Sequence, residues 1–136
     1  MSYDRTVRLN SGFGDTVAAV REALAAQGFG ILTEIDVTAT LKAKLGHEME
    51  DYLILGACNP PLAREALEAD RSIGLLLPCN VVVRSDKGAT IVQALDPATM
   101  VTLTGLPALE SVASEATERL DAALAALAAL PGSEGV

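Results

Sequence analysis

The chain has 136 residues, the length of a single domain. Half of them are apolar but only 3% are aromatic, so the core is built of Leu, Val, Ile and Ala and offers few rings for stacking. Ten basic residues against 18 acidic ones give a formal charge of -8, which argues against a nucleic-acid partner or an anionic membrane surface and serves solubility.

Two cysteines, Cys58 and Cys79, are too few for a disulfide scaffold. The polar opening Met1-Ser2-Tyr3-Asp4-Arg5 lacks the pattern of a signal peptide. No apolar stretch approaches membrane-spanning length. The expectation is a cytoplasmic protein with reduced thiols and no membrane partner.

Residues 3–9 alternate and predict a strand. Asn10 to Asp15 are turn residues, and Asp15 is the expected N-cap of a helix with Val17, Val20 and Leu24 on one face. Gly12 and Gly14 match neither the Walker pattern nor a full G-x-G-x-x-G and read as a tight turn. Gly28 closes that helix, and residues 29–35 resume an extended pattern. Asp36 or Thr38 caps a short helix with Leu41 and Leu45 as its apolar stripe and Gly46 as its stop. His47, the only histidine, follows in a loop and reads as a surface residue.

Tyr52 to Leu55 is a strand, and Gly56 and Ala57 narrow its end, which lets another group come close to the backbone. Asn59 caps the next helix with Pro60 at its first position. Leu62, Ala63, Ala66 and Leu67 form the buried stripe, and the helix ends near Asp70. Residues 73–77 read as a short apolar strand or its approach, interrupted by Pro78. Residues 81–84 continue as strand, 85–88 make a hairpin turn, and 89–95 return antiparallel. Asp96-Pro97 opens a brief turn or helical piece carrying Met100, ahead of residues 101–104. Residues 106–130 form the longest helix, with Leu109, Val112, Ala116, Leu120, Leu124 and Leu127 on one face. Residues 131–136 are expected to fray. No repeat or linker divides the chain.

The chemistry concentrates in two strand-end steps, Gly56-Ala57-Cys58-Asn59 and Pro78-Cys79-Asn80. Cys58 stands just before a helix cap, where the dipole favours a thiolate. Pro60 and Pro61 remove two N–H groups from that helix end, so the dipole acts alone. Cys79 lies in an apolar context that holds a thiol protonated. Each also reads as a small buried apolar side chain. The pair is the stronger signal if the fold brings both to one hollow, as a redox dithiol, a persulfide carrier or a soft-metal or haem site. No CxxC, CxxCH or second histidine supports a four-ligand zinc site, and Cys58, Cys79 and His47 are the only residues that point toward a metal. The hydrolase templates G-x-S-x-G and HExxH are absent. Carboxylates such as Glu34, Asp36 and Asp51 show no acid/base spacing.

Several segments resemble the DUF302 family, a family of unknown function. They are Ala25-Ala26-Gln27-Gly28-Phe29, Thr40 to Gly46, Ile54-Leu55-Gly56-Ala57-Cys58-Asn59-Pro60, Leu76-Leu77-Pro78-Cys79-Asn80-Val81, and Asp96-Pro97 with Met100. The resemblance implies a small domain like the TATA-binding protein, with a curved antiparallel sheet backed by helices, often dimeric, and with no assigned activity. The DNA binding of that fold does not transfer to an acidic, aromatic-poor chain.

The expectation is an α+β domain, ordered β-α-β-(α)-β-α-β-β-α, with a mainly antiparallel sheet. Its expected function is a non-catalytic homodimeric module binding a small apolar or soft ligand (haem, metal or sulfur). The candidate site is Gly56, Cys58, Asn59, Pro78, Cys79 and Asn80. The alternatives are a thiol redox or sulfur-transfer enzyme using Cys58, and a purely structural or regulatory dimer. No cofactor is identified.

Overall fold

A computed structural model describes residues 3–130 and the backbone of 133–134. Strand β1 (Asp4–Leu9) buries Val7 and Leu9 at the expected period of two. Helix α1 (Phe13–Ala26) buries Thr16, Val20 and Leu24, one side chain per turn. It begins at Phe13 rather than after Asp15. The Gly12 carbonyl accepts both the Thr16 amide (2.9 Å) and the Thr16 hydroxyl (2.8 Å), which pulls the first turn forward. Asp15 falls within that turn, where its charge faces the positive helix end.

Strand β2 (Gly30–Asp36) leads directly into α2 (Val37–Leu45), whose cap is the Asp36 side chain accepting the Ala39 amide at 2.9 Å. Gly46 ends α2 at φ 65, a left-handed position suited to glycine. The expected apolar stripe of α2 is not buried: no α2 residue is, and Leu45 is 75% exposed. The helix packs against β3 beside edge strand β2, so its outer side has no layer to meet.

Strand β3 (Tyr52–Cys58), helix α3 (Pro60–Ala69), and strands β4 (Cys79–Asp86) and β5 (Ala89–Leu95) follow. Where a short strand or its approach was expected at residues 73–77, the chain forms a 3-10 turn, Arg71–Leu76. The Asp70 side chain accepts the Ser72 amide at 3.1 Å and starts the turn, and Ile73 is buried beneath it. The Leu77–Pro78 peptide is cis, and β4 begins one residue later. Lys87 and Gly88 both take positive φ, which a two-residue hairpin between β4 and β5 requires.

The helical piece after Pro97 is α4 (Ala98–Thr104) and carries Met100. Leu106, the residue before a proline, is extended, so the longest helix starts one residue later than expected, opening as a 3-10 turn, Pro107–Leu109. It continues as α5 (Glu110–Ala128). Ser133–Glu134 form β6 beside β1, while the rest of the tail expected to fray (131–132 and 135–136) lies outside the described residues.

The strands form one sheet, ordered β2-β3-β4-β5-β1-β6, with every pairing antiparallel. Helices α1 and α5 cover one face: Val20, Leu24, Leu120 and Leu127 meet Leu55, Val81, Val83 and Val92. A second apolar cluster joins α3, the 3-10 turns and α4 to the start of α5 through Leu62, Ile73, Met100, Leu109 and Val112. The α+β class and the helix-packed antiparallel sheet are those expected.

Gly56 is a point of close approach. The β2–β3 register shifts between Ile31 and Thr33, leaving Leu32 as a bulged residue and placing Thr33 opposite Gly56. A Cβ on Gly56 would overlap the Thr33 hydroxyl and lie 2.8 Å from Pro78 Cγ. Gly56→Ala is expected to destabilise the fold by about 1–3 kcal/mol, as overpacking does. Adding Thr33→Ala, which removes the nearer clash, should recover part of the loss. Equal urea midpoints for wild type and Gly56→Ala would refute the contact.

Candidate functional site

Pairing of β3 with β4 sets Ala57 opposite Cys79 and Gly56 opposite Asn80. Side chains opposite one another share a sheet face, so Cys79 joins Ala57 on the side that carries α1 and α5. Cys58 is the last residue of β3, and Asn59 turns the chain into α3. The Asn59 Oδ1 accepts the Leu62 amide at 3.3 Å, as expected of a cap. Pro60 and Pro61 fill the first turn and supply no further N–H.

Cys58 and Cys79 line one hollow of about 30 Å³, together with Asn59, Pro78 and otherwise apolar side chains. The hollow lies at the seam between the two apolar clusters: Phe29 and Ala57 come from the first, Leu62, Ala66 and Ala116 from the second. Alanines at the seam leave the space that larger side chains would fill. No charged group lines it. Both cysteines are free and half-buried as residues. Burial pushes the Cys79 thiol above its ordinary range, and the neighbouring Cys58 adds to the shift.

The loop under the hollow is tied down from two sides. Gly28 adopts φ +83 beside the Asn59 side-chain amide. Arg119 Nη1 of α5 donates to the Gln27 carbonyl at 3.1 Å, satisfying the end of α1. Phe29, next in the chain, is thereby held against the seam.

The remaining candidates sit elsewhere. Asn80, one residue past Cys79, faces the opposite side of the sheet, where it is exposed near Tyr52, Val82 and Gln93. Gly56 contributes close packing of Thr33 and Pro78 rather than lining. His47 is exposed beyond α2 and is not among the lining residues. Among the described residues no group of three or more His, Cys, Asp or Glu is placed to hold a metal ion. Met100, absent from the sequence-based site, does line the hollow. Its signal in the sequence was weak, a lone Met on a short helix far from either cysteine. A larger groove of about 380 Å³ opens between Tyr3, Leu95 and Leu103, but it carries no comparable chemistry. No helix among the described residues is long and apolar enough to cross a membrane.

The class is thus a small α+β domain with an open antiparallel sheet, helices on one face and a cysteine-lined seam. The chain belongs to the DUF302 family, described as a domain of unknown function, which matches residues 5–127. It is 31% identical to an uncharacterized conserved DUF302 protein from Bacillus stearothermophilus, whose crystal structure superposes with a TM-score of 0.87 over 93% of this chain and 99% of that one. None of the curated proteins matches the chain.

The raised Cys79 pKa carries a pH signature. The folded state keeps a proton that the unfolded chain loses at lower pH, so stability is lost as pH rises through the ordinary thiol range toward the raised value. Wild type should lose more stability than Cys79→Ala between neutral and alkaline pH in urea titrations. Parallel losses would show that Cys79 titrates as a free thiol.

Proposed function

We propose that this domain is a non-catalytic, homodimeric binding module of a reducing cytoplasm that holds one small soft ligand between Cys58 and Cys79. The observation that carries this reading is the shared hollow: Cys58 and Cys79 are both among the residues lining one space that is otherwise almost wholly apolar. Its volume, about 30 Å³, is about a tenth of the smallest usual small-molecule pocket. Haem does not fit such a space, and the ligand is one or two heavy atoms. A thiol that attacks a substrate must be a thiolate, which a neighbouring cation or free helix N–H groups would favour. The lining offers no cation, and prolines occupy the α3 start.

Differential alkylation tests this reading. Reduced protein is treated with iodoacetamide at pH 7, alone and with Cu(I), Zn(II), inorganic polysulfide or haemin. At least one of the small soft ligands should protect both cysteines together at one per chain, and haemin should not. Failure of every ligand to protect the pair removes the binding module. Cys58 alkylating far faster than a peptide thiol would replace it with the redox or sulfur-transfer enzyme.

The sheet face opposite α1 and α5 supports self-association. The register places Ile54, Val82 and Leu95 there, with Ile35 48% exposed at its edge. Within strands β1–β5 the charges of this face balance, Asp4 and Asp86 against Arg8 and Arg84, although the whole chain carries -8. Arg8 donates to Asp86 at 2.8 Å, and this bond holds the Asp86 carboxyl below the usual range. A face that mixes these apolar side chains with the paired row Arg84, Gln93 and Thr6 meets its own copy with little repulsion. Sedimentation should give two chains per particle for wild type and one for Ile54→Lys with an unchanged circular dichroism spectrum. A monomeric wild type would end this part of the reading.

A further inference from the structure

Among the described residues, every helix and strand from β1 to α5 buries at least one side chain, with two exceptions, β2 and α2. Phe29 and Leu53 are 4% and 6% exposed, and none of the residues between them is buried. The two exceptions are joined without a loop, because Asp36 both ends β2 and caps α2 through the Ala39 amide. One therefore cannot shift far without the other. We propose that residues 30–51 form a flap that opens from β3 as one unit while the rest of the domain stays folded, and that this flap is the entrance to the cysteine-lined hollow.

The ties that hold the flap are polar. β2 is the outer strand of the sheet, and its ladder to β3 is interrupted at the Leu32 bulge. α2 packs against β3 yet adds no buried side chain. Thr38 latches it to the start of β3: the hydroxyl donates to the Glu50 carbonyl at 2.7 Å and accepts the Tyr52 amide at 2.8 Å. Arg21 of α1 donates to Glu34 at 2.6 Å, an exposed pair of small value. The two ends are anchored more firmly. The buried Phe29 donates its amide to the Leu24 carbonyl at 3.0 Å, and the Asp51 carbonyl accepts the Ser85 amide at 2.9 Å.

A segment opens at a cost set largely by the buried apolar contact it gives up, and this one gives up little. Ile31, partly buried against the main cluster, is the side chain it withdraws from the core. Opening takes Gly30 and Ile31 away from Cys58 and Ala57, the β3 residues opposite them, and both of those line the hollow. Neither apolar cluster has to come apart, since Phe29 and Leu53 stay with the first. The role of entrance rests on the small-ligand reading above; the opening does not.

Hydrogen–deuterium exchange of the full chain, followed by NMR over a series of low urea concentrations, tests the flap. Amides of β2 and α2 should exchange about tenfold or more faster than those of β4 and β5. They should share one shallow urea dependence, because opening exposes less surface than global unfolding. The amides of β3 point alternately to β2 and to β4, so alternate residues of Tyr52–Cys58 should follow the flap and the others the core. Thr38→Val keeps the side-chain shape, removes both latch bonds and should speed exchange across β2 and α2 about fivefold. Val92→Ala weakens the covered core and should speed β4 and β5 while leaving the flap unchanged. In Thr38→Val, iodoacetamide should reach Cys58 faster by the same factor as the exchange. Flap amides that share the rate and urea slope of β4 and β5, or a response to Thr38→Val confined to α2, would overturn the flap. Faster exchange with unchanged alkylation of Cys58 would overturn its role as the entrance, whichever ligand the hollow holds.

Discussion

Strand β3 lies between β2 and β4, and its register against both neighbours governs the surroundings of each sulfur. Ala57 opposite Cys79 places the second cysteine on the helix-covered face. A slip of one residue would send Cys79 to the open face and bring the exposed Asn80 into the core. Two local features hold the register. Gly56 lacks a side chain where Thr33 and Pro78 close over it, and the β2 bulge aligns Thr33 with that position. The hydrophobic pattern adds to them, because Leu53, Leu55, Val81 and Val83 are buried only in this pairing.

Helix α5 makes one molecule of two apolar clusters. Its later turns place Leu120, Leu124 and Leu127 on the sheet, while Val112, Ala113 and Ala116 serve the cluster of α3 and α4. Between these parts the helix presents alanine, and α3 answers with Ala63 and Ala66. Small side chains on both sides leave a gap that neither cluster fills. The hollow is therefore a product of how two packing units meet, and both cysteines lie at that meeting point.

Much of this architecture was legible because it rests on short-range rules. Asn59 before Pro60, Asp36 before α2 and Gly46 after it are caps whose chemistry is contained in a few residues. The strands were legible where burial alternates, as in β1. Residues 73–77 were misread because an apolar run without alternation is ambiguous, and Asp70 resolves it toward a 3-10 turn through a side-chain bond. The α2 stripe was misread because periodicity predicts a face but not a layer to cover it. The site was half legible. Two Cys-Asn steps drew attention to Cys58 and Cys79, but grouping Asn80 with its neighbour ignored the period of two, and Met100 reaches the seam only through long-range packing.

The step from Cys79 to Asn80 crosses the sheet, so adjacent residues of β4 serve different surfaces. Cys79 lies on the helix-covered side, and the exposed Asn80 lies on the other. A partner on that open face therefore need not cover the thiols. The seam, by contrast, is coupled to the fold itself. A ligand held there would touch residues of both clusters and, by binding them only when docked, would stabilise the docked state in proportion to its occupancy. Filling the gap would thus strengthen the junction that α5 spans, at a place apart from the open sheet face.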